Sequence, residues 1–188
     1  MKRIGILLAV LAAGLLTALN VVALGGDNPL KNAVVGDWIE YNTTSEMSAG
    51  MKTQMHTKQT VVAKDAKFIT LRTEVTMNGK AMPPQETKIP LDQPYEPYKS
   101  PNAASVQILG EGSETVTVGA KPYSCHWTKV KVTLSQPAGS EGITKIWVCK
   151  DVPVSGMVKM ETEMTMKTGA NTMNTKMTME MTGSGHGK

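Results

Sequence analysis

The chain has 188 residues, with 20 Lys and Arg against 16 Asp and Glu, a formal net charge of +4. Loss of Lys2 and Arg3 with a cleaved leader leaves 18 basic residues facing 16 acidic ones, and the lysines stand singly. Such a near-neutral surface excludes a nucleic-acid partner held by charge. Fourteen methionines beside a single phenylalanine, Phe68, require a core built from Met, Val, Ile and Leu.

The first residues carry an export pattern. Lys2 and Arg3 precede an uncharged run from Ile4 to Leu19, and Val21, Ala23 and Gly25 supply the small residues a signal peptidase reads. Residues 1–25 therefore read as a signal peptide, with cleavage after Ala23 or Gly25 and a periplasmic or extracellular destination. No stable membrane span is expected after cleavage. An uncleaved anchor is the alternative, since a span needs about 20 apolar residues, but Asn20 and the Gly25-Gly26 pair weaken it.

Residues 32–182 read as a single antiparallel β domain. Period-two alternation dominates. From Trp38 to Val62 the odd positions hold Ile39, Tyr41, Met47, Met51, Met55 and Val61, and Ser48-Ala49-Gly50 divides the run into two strands. Phe68 to Met77 alternates again, with Ile69, Leu71, Val75 and Met77 on one face. Asn78-Gly79 then predicts a tight hairpin, because both residues accept positive φ. A proline-rich passage from Pro83 to Pro101 follows, with a short strand candidate at Glu86–Ile89 and two tyrosines, Tyr95 and Tyr98. Proline cannot donate to a ladder, so this passage is a long loop or an edge crossing. Ala103–Leu109 fits either a helical turn or a strand start.

The second half reads as hairpins. Thr115–Val118 turns through Gly119-Ala120-Lys121 into Tyr123–Leu134, and Ser135–Gly139 turns into Ile143–Cys149. Pairing residues whose numbers sum to 274 sets Trp127 opposite Trp147 and Cys125 opposite Cys149. In an exported chain that points to a Cys125–Cys149 disulfide, worth roughly 3 kcal/mol by chain entropy. The same register sets Lys129 against Lys145, a mildly unfavourable pair. The last hairpin pairs on a sum of 339, so Met166 faces Met173 and Met160 faces Met179, and two methionine stripes share one side. Residues 183–188, glycine-rich and polar, read as a disordered tail.

The stretches ETVTVGAKPYSCHWTKVKV (Glu114–Val132) and KIWVCKDVPVSGMVKME (Lys145–Glu161) together resemble exported β domains related to the LolA/LolB-type lipoprotein carriers. The resemblance covers about 50 residues and lies in structural units: a TVTV–glycine turn–strand, then a strand, a Val-Pro turn and a new strand. It implies a curved, incompletely closed sheet whose concave face holds an acyl chain. The fold class expected is therefore mainly all-β, an antiparallel curved sheet forming a half-barrel or open barrel from sequential hairpins.

Three readings fit the methionine stripes. Flexible thioethers fill irregular cores, they suit adaptable apolar binding surfaces, and they favour Cu(I). The leading functional expectation is non-enzymatic binding of a lipid or other hydrophobic ligand, or an envelope component, through Met160, Met164, Met166, Met177 and Met179. The alternatives are a Cu(I) protein using the Met-x-Met pairs of Met164/Met166 and Met177/Met179/Met181 with His186, and a structural or partner-binding surface protein with a packed Met core. No metal site and no cofactor is expected in the leading reading. His56 sits on a polar strand face, and His126 points away from its neighbour Cys125, so neither suggests catalysis. The motifs of metalloproteases, serine hydrolases and phosphate loops do not occur.

Overall fold

The computed structural model describes residues 28–48, 50–93, 102–168 and 171–187. The expected signal peptide, residues 1–25, lies outside the described residues, as do Tyr95 and Tyr98. A short 3₁₀ turn, Pro29–Lys31, precedes ten strands: β1 (Trp38–Met47), β2 (Lys52–Lys64), β3 (Phe68–Met77), β4 (Lys80–Ala81), β5 (Gln85–Pro90), β6 (Ala103–Val118), β7 (Lys121–Leu134), β8 (Glu141–Val148), β9 (Met157–Thr168) and β10 (Asn171–Gly185). All belong to one antiparallel sheet in the order β4-β3-β2-β1-β10-β9-β8-β7-β6, with β5 pairing β3 beyond β4. The sheet is open and curved, not closed into a barrel. It curls enough for β6 to approach β10 although three strands separate them in the sheet.

Local chemistry accounts for most turns. Asn78 and Gly79 both take positive φ, 48° and 80°, as a type I′ turn requires. Both expected registers hold: Trp127 faces Trp147, Met166 faces Met173, and Met160 faces Met179. Ala103–Leu109 is strand, continuous with β6. The like-charged Lys129–Lys145 pair is present. Lys145 compensates by lying 4.4 Å from the Trp127 ring centre and 4.3 Å from that of Trp147, and by an ion pair to Glu114 at 3.2 Å.

One non-local pairing organises the whole sheet. β1 adds to β10 from Trp38↔Gly185 to Met47↔Thr175, joining the two ends of the described chain. This corrects the expected disordered tail. Gly183, Ser184 and Gly185 are ladder residues, and beyond them the Gly187 N–H and His186 Nδ1 both lie 3.2 Å from the buried Asp37 carboxylate. The edge of β1 supplies partners that a reading by local composition could not anticipate.

One face of the sheet, the inner face, carries Ile39, Tyr41, Val61, Ile69, Leu71, Ile146, Val158, Met160, Met179 and Met181, all buried. At one end of the sheet this core is plugged. Leu30 and Ala33 from the 3₁₀ segment, and Val152 and Val154 from the β8–β9 connection, belong to the same buried cluster. The Tyr41 hydroxyl pins that connection by a 2.6 Å hydrogen bond to Ser155 Oγ and by donating to the Met157 carbonyl at 3.2 Å.

Candidate functional site

The strand registers assemble the inner face into rows running across the strands. One row reads Met77, Met55, Thr43, Met179, Met160, Ile146, Thr128 from β3 to β7. A parallel row nearer the opposite end holds Met47, Thr175, Met164, Gly142 and Val132. Between them lies a row rich in hydroxyls, Ser45, Met177, Thr162 and Thr144, in which the Thr144 and Thr162 oxygens bond each other at 3.1 Å.

Burial along this face is graded. Near the plugged end Met157, Met181 and Met179 are 1–3% exposed and Met160 is 8% exposed. Toward the other end, where Ser48, Gly50, Asn78 and Gly79 make their turns, Met47, Met55, Met77, Met164, Met173 and Met177 are all only partly buried. Met166 departs from the gradient and is buried, beside a Ser140 hydroxyl that accepts the Lys167 N–H at 3.1 Å. The methionines thus divide into a packed floor and a half-exposed rim.

A cleft of about 460 Å³ lies at the rim end, lined mainly from the outer face of the sheet, where Glu46, Lys176, Glu163, Ile143 and Lys131 form one cross-strand row. Met47, Met164 and Thr175 border it together with the charged residues Glu46, Lys131, Glu163 and Lys176. The charges are internally matched: Lys131 pairs Glu141 at 2.7 Å, Lys176 pairs Glu163 at 3.2 Å, and Lys52 pairs Glu46 at 2.9 Å. Its size suits a small-molecule ligand.

Four buried threonine oxygens, on Thr43, Thr57, Thr128 and Thr175, have no hydrogen-bond partner in the protein. An unpaired buried hydroxyl costs about 1–3 kcal/mol, and valine would fill the same space in a strand without that cost. Thr43 lies between Met55 and Met179 in its row, and Thr175 between Met47 and Met164. Thr57 and Thr128 pair instead with Tyr41 and Ile146, among non-methionine neighbours.

The structure therefore separates the five methionines singled out from sequence. Met160 and Met179 are floor residues, Met166 is buried at the rim end beside Met173, and Met164 and Met177 belong to the rim. Met47, Met55, Met77 and Met173 join the rim although the sequence expectation named none of them as a contact. The signal for the first three was present in the alternation of β1 to β3. Only the β1–β10 pairing brings those strands beside the last hairpin.

Both cysteines are buried, free thiols, so the expected disulfide is not formed in this structure. The 274 register does bring β7 and β8 together as far as His126↔Val148. Cys149 follows that last pair and belongs to the turn, where its N–H donates to the Gly156 carbonyl at 2.7 Å, and the Cys125 thiol contacts the Tyr123 carbonyl at 3.5 Å. Burial first, and then the adjacent Cys149, push the Cys125 thiol up to about 11. His186, considered as a copper ligand, pairs with Asp37 at the plugged end of the sheet. His186 lies just past β10, five positions from Met181 and nine from Met177, about 17 and 30 Å along a strand, so it cannot share a metal with either. Among the described residues no group of three or more His, Cys, Asp or Glu side chains converges on a point that could hold a metal ion, and no helix is long and apolar enough to cross a membrane.

No protein-family model and no curated protein matches the sequence. Two solved structures are similar in outline. One is an S-type phycobiliprotein lyase from Guillardia theta, 10% identical, covering 78% of this chain and 86% of its own with a TM-score of 0.37. The other is a LolA-superfamily protein from Nitrosomonas europaea, 8% identical, covering 94% of both chains with a TM-score of 0.27. Likenesses at this level assign no family.

Proposed function

We propose that this is an exported, non-enzymatic binding protein that seats an elongated hydrophobic molecule along the methionine rim of its inner face. The observation that carries the reading is the graded burial: Met47, Met55, Met77, Met164, Met173 and Met177 share one face and stay partly exposed at the rim end, where Met166 alone of the stripe is buried, while Met160, Met179 and Met181 at the other end are sealed. Pliable thioethers can reshape around an apolar guest with little strain. Export rests on the charged start and uncharged run of residues 1–25.

Native mass spectrometry on the mature protein, purified from its own compartment without detergent or chelator, tests this. Added mass in the lipid range is expected, and it should be lost in the double variant Met164→Glu, Met177→Glu, which places two charges on the rim and leaves the floor intact. A bare mass, or retention by that variant, overturns the reading. Cu(I) remains the second reading, favoured by the directly opposed pairs Met55–Met77, Met160–Met179 and Met166–Met173. Bound copper in the same spectrum would support it.

A further inference from the structure

We infer that the guest on the inner face carries a hydrogen-bonding oxygen partway along its apolar body, a hydroxyl or ketone within the chain, and that Thr43 is its partner with Thr175 receiving a second polar group nearer the rim end. This rests on the reading that the rim binds a hydrophobic molecule, and it specifies the chemical class of that molecule. Thr43 is 4% exposed and its hydroxyl has no partner, yet its cross-strand neighbours are Met55 and Met179, side chains that can move aside. Thr175 repeats the arrangement between Met47 and Met164, and its hydroxyl is likewise unpaired.

The fold has no use for these hydroxyls. Each stands on an inner-facing strand position where a β-branched apolar residue would satisfy both propensity and packing. Thr144 and Thr162 pair with each other, and Thr57 and Thr128, also unpaired, stand beside Tyr41 and Ile146 and not between methionines. A hydroxyl left unpaired at a flexible, apolar site is a recognition group, since a guest oxygen can both give and take a hydrogen bond there. The register fixes the spacing. Thr175 faces Met47, four residues along β1 from Thr43, so the two hydroxyls are separated by about 13 Å along the strand direction. A chain lying along the inner face from the rim toward the floor passes Thr175 first and Thr43 second.

The test is competition of stearic acid and 10-hydroxystearic acid against an apolar fluorescent probe, N-phenyl-1-naphthylamine, bound to the full mature protein. The hydroxylated chain should bind about five- to tenfold more tightly, the ratio a single net hydrogen bond supports. Thr43→Val should bring that ratio to about one and raise the melting temperature of the free protein, whereas Thr43→Ser should keep the preference. A purely structural threonine would not move the ratio. If both acids displace the probe equally from the wild type, or if Thr43→Val keeps the preference, this inference fails while the apolar-ligand reading stands. If neither acid displaces the probe and the probe itself does not bind, the underlying reading fails with it.

Discussion

The indole of Trp127 lies against Gly112 of the neighbouring strand so closely that a β-carbon there would sit 2.8 Å from Cζ2. Trp38 covers Gly185 in the same way, with Nε1 2.7 Å from the position a β-carbon would take. In each case the indole supplies the packing that the glycine lacks and shields the ladder at that point. Gly112→Ala and Gly185→Ala should each destabilise by about 1–3 kcal/mol, because the ring has to leave its place against the strand. Gly119→Ala meets no atom within 4 Å and would be strained only through its φ of 59°. Urea unfolding of the three variants separates the crowding effect from the backbone effect.

The floor and the rim should answer differently to truncation. Met160→Ala, at 8% exposure, should cost about 2–5 kcal/mol through lost burial and the cavity left behind. Met164→Ala, already partly exposed, should cost about 1 kcal/mol or less and should weaken probe binding instead. Paired denaturation and fluorescence titrations would show the two effects falling on different residues. Equal loss of stability in both variants would count against a rim distinct from the core.

Tyr41 ties the β8–β9 connection to the core. Replacing it by Phe leaves the Ser155 hydroxyl with only the Met157 N–H at 3.2 Å, and should cost about 1–3 kcal/mol. Proteolysis within residues 150–156 should accelerate in the variant. Unchanged cleavage would mean that the connection is held by Val152 and Val154 alone.

Alkaline pH should weaken the reduced protein. Burial, and then Cys149, raise the Cys125 thiol from 9.0 to about 11, while burial, opposed by the Ser155 hydrogen bond, raises Tyr41 well above 10.0. Below about pH 9 folded and unfolded chains hold the same protons. Above it the unfolded chain releases them first, so stability falls with rising pH through 9.0 to about 11 for Cys125 and from 10.0 upward for Tyr41. Melting temperatures between pH 8 and pH 11 check this, and Cys125→Ala should remove the earlier part of the fall.

Cys125 and Cys149 lie side by side as free thiols, a pair that an oxidising compartment would crosslink. Material taken from an oxidising compartment should be two hydrogens lighter than the reduced chain and resist alkylation even when unfolded. Reduction should then lower its stability by about 3 kcal/mol. Two alkylated cysteines after unfolding without reductant would show that the thiols stay free.

Much of this architecture was legible in the residues because the information was local. Alternation with a period of two decides which side chains share a face, and Asn78-Gly79 accepts the positive φ its turn demands. The short turns fixed the sums of 274 and 339, and hence Trp127 against Trp147 and Met160 against Met179, since a slip of one residue would turn every side chain to the wrong face. Tertiary structure alone decided the rest. The β1–β10 pairing gave Gly183–Gly185 a ladder and brought Met47 and Met55 beside the last hairpin. It also decided that Met179 is floor and Met177 is rim, although the two stand on one stripe of one strand. Periodicity specifies a direction, inward or outward, but burial depends on how far the sheet curls and which end the 3₁₀ turn and the β8–β9 connection plug. Those are contacts between residues far apart in the chain, and no local pattern encodes them.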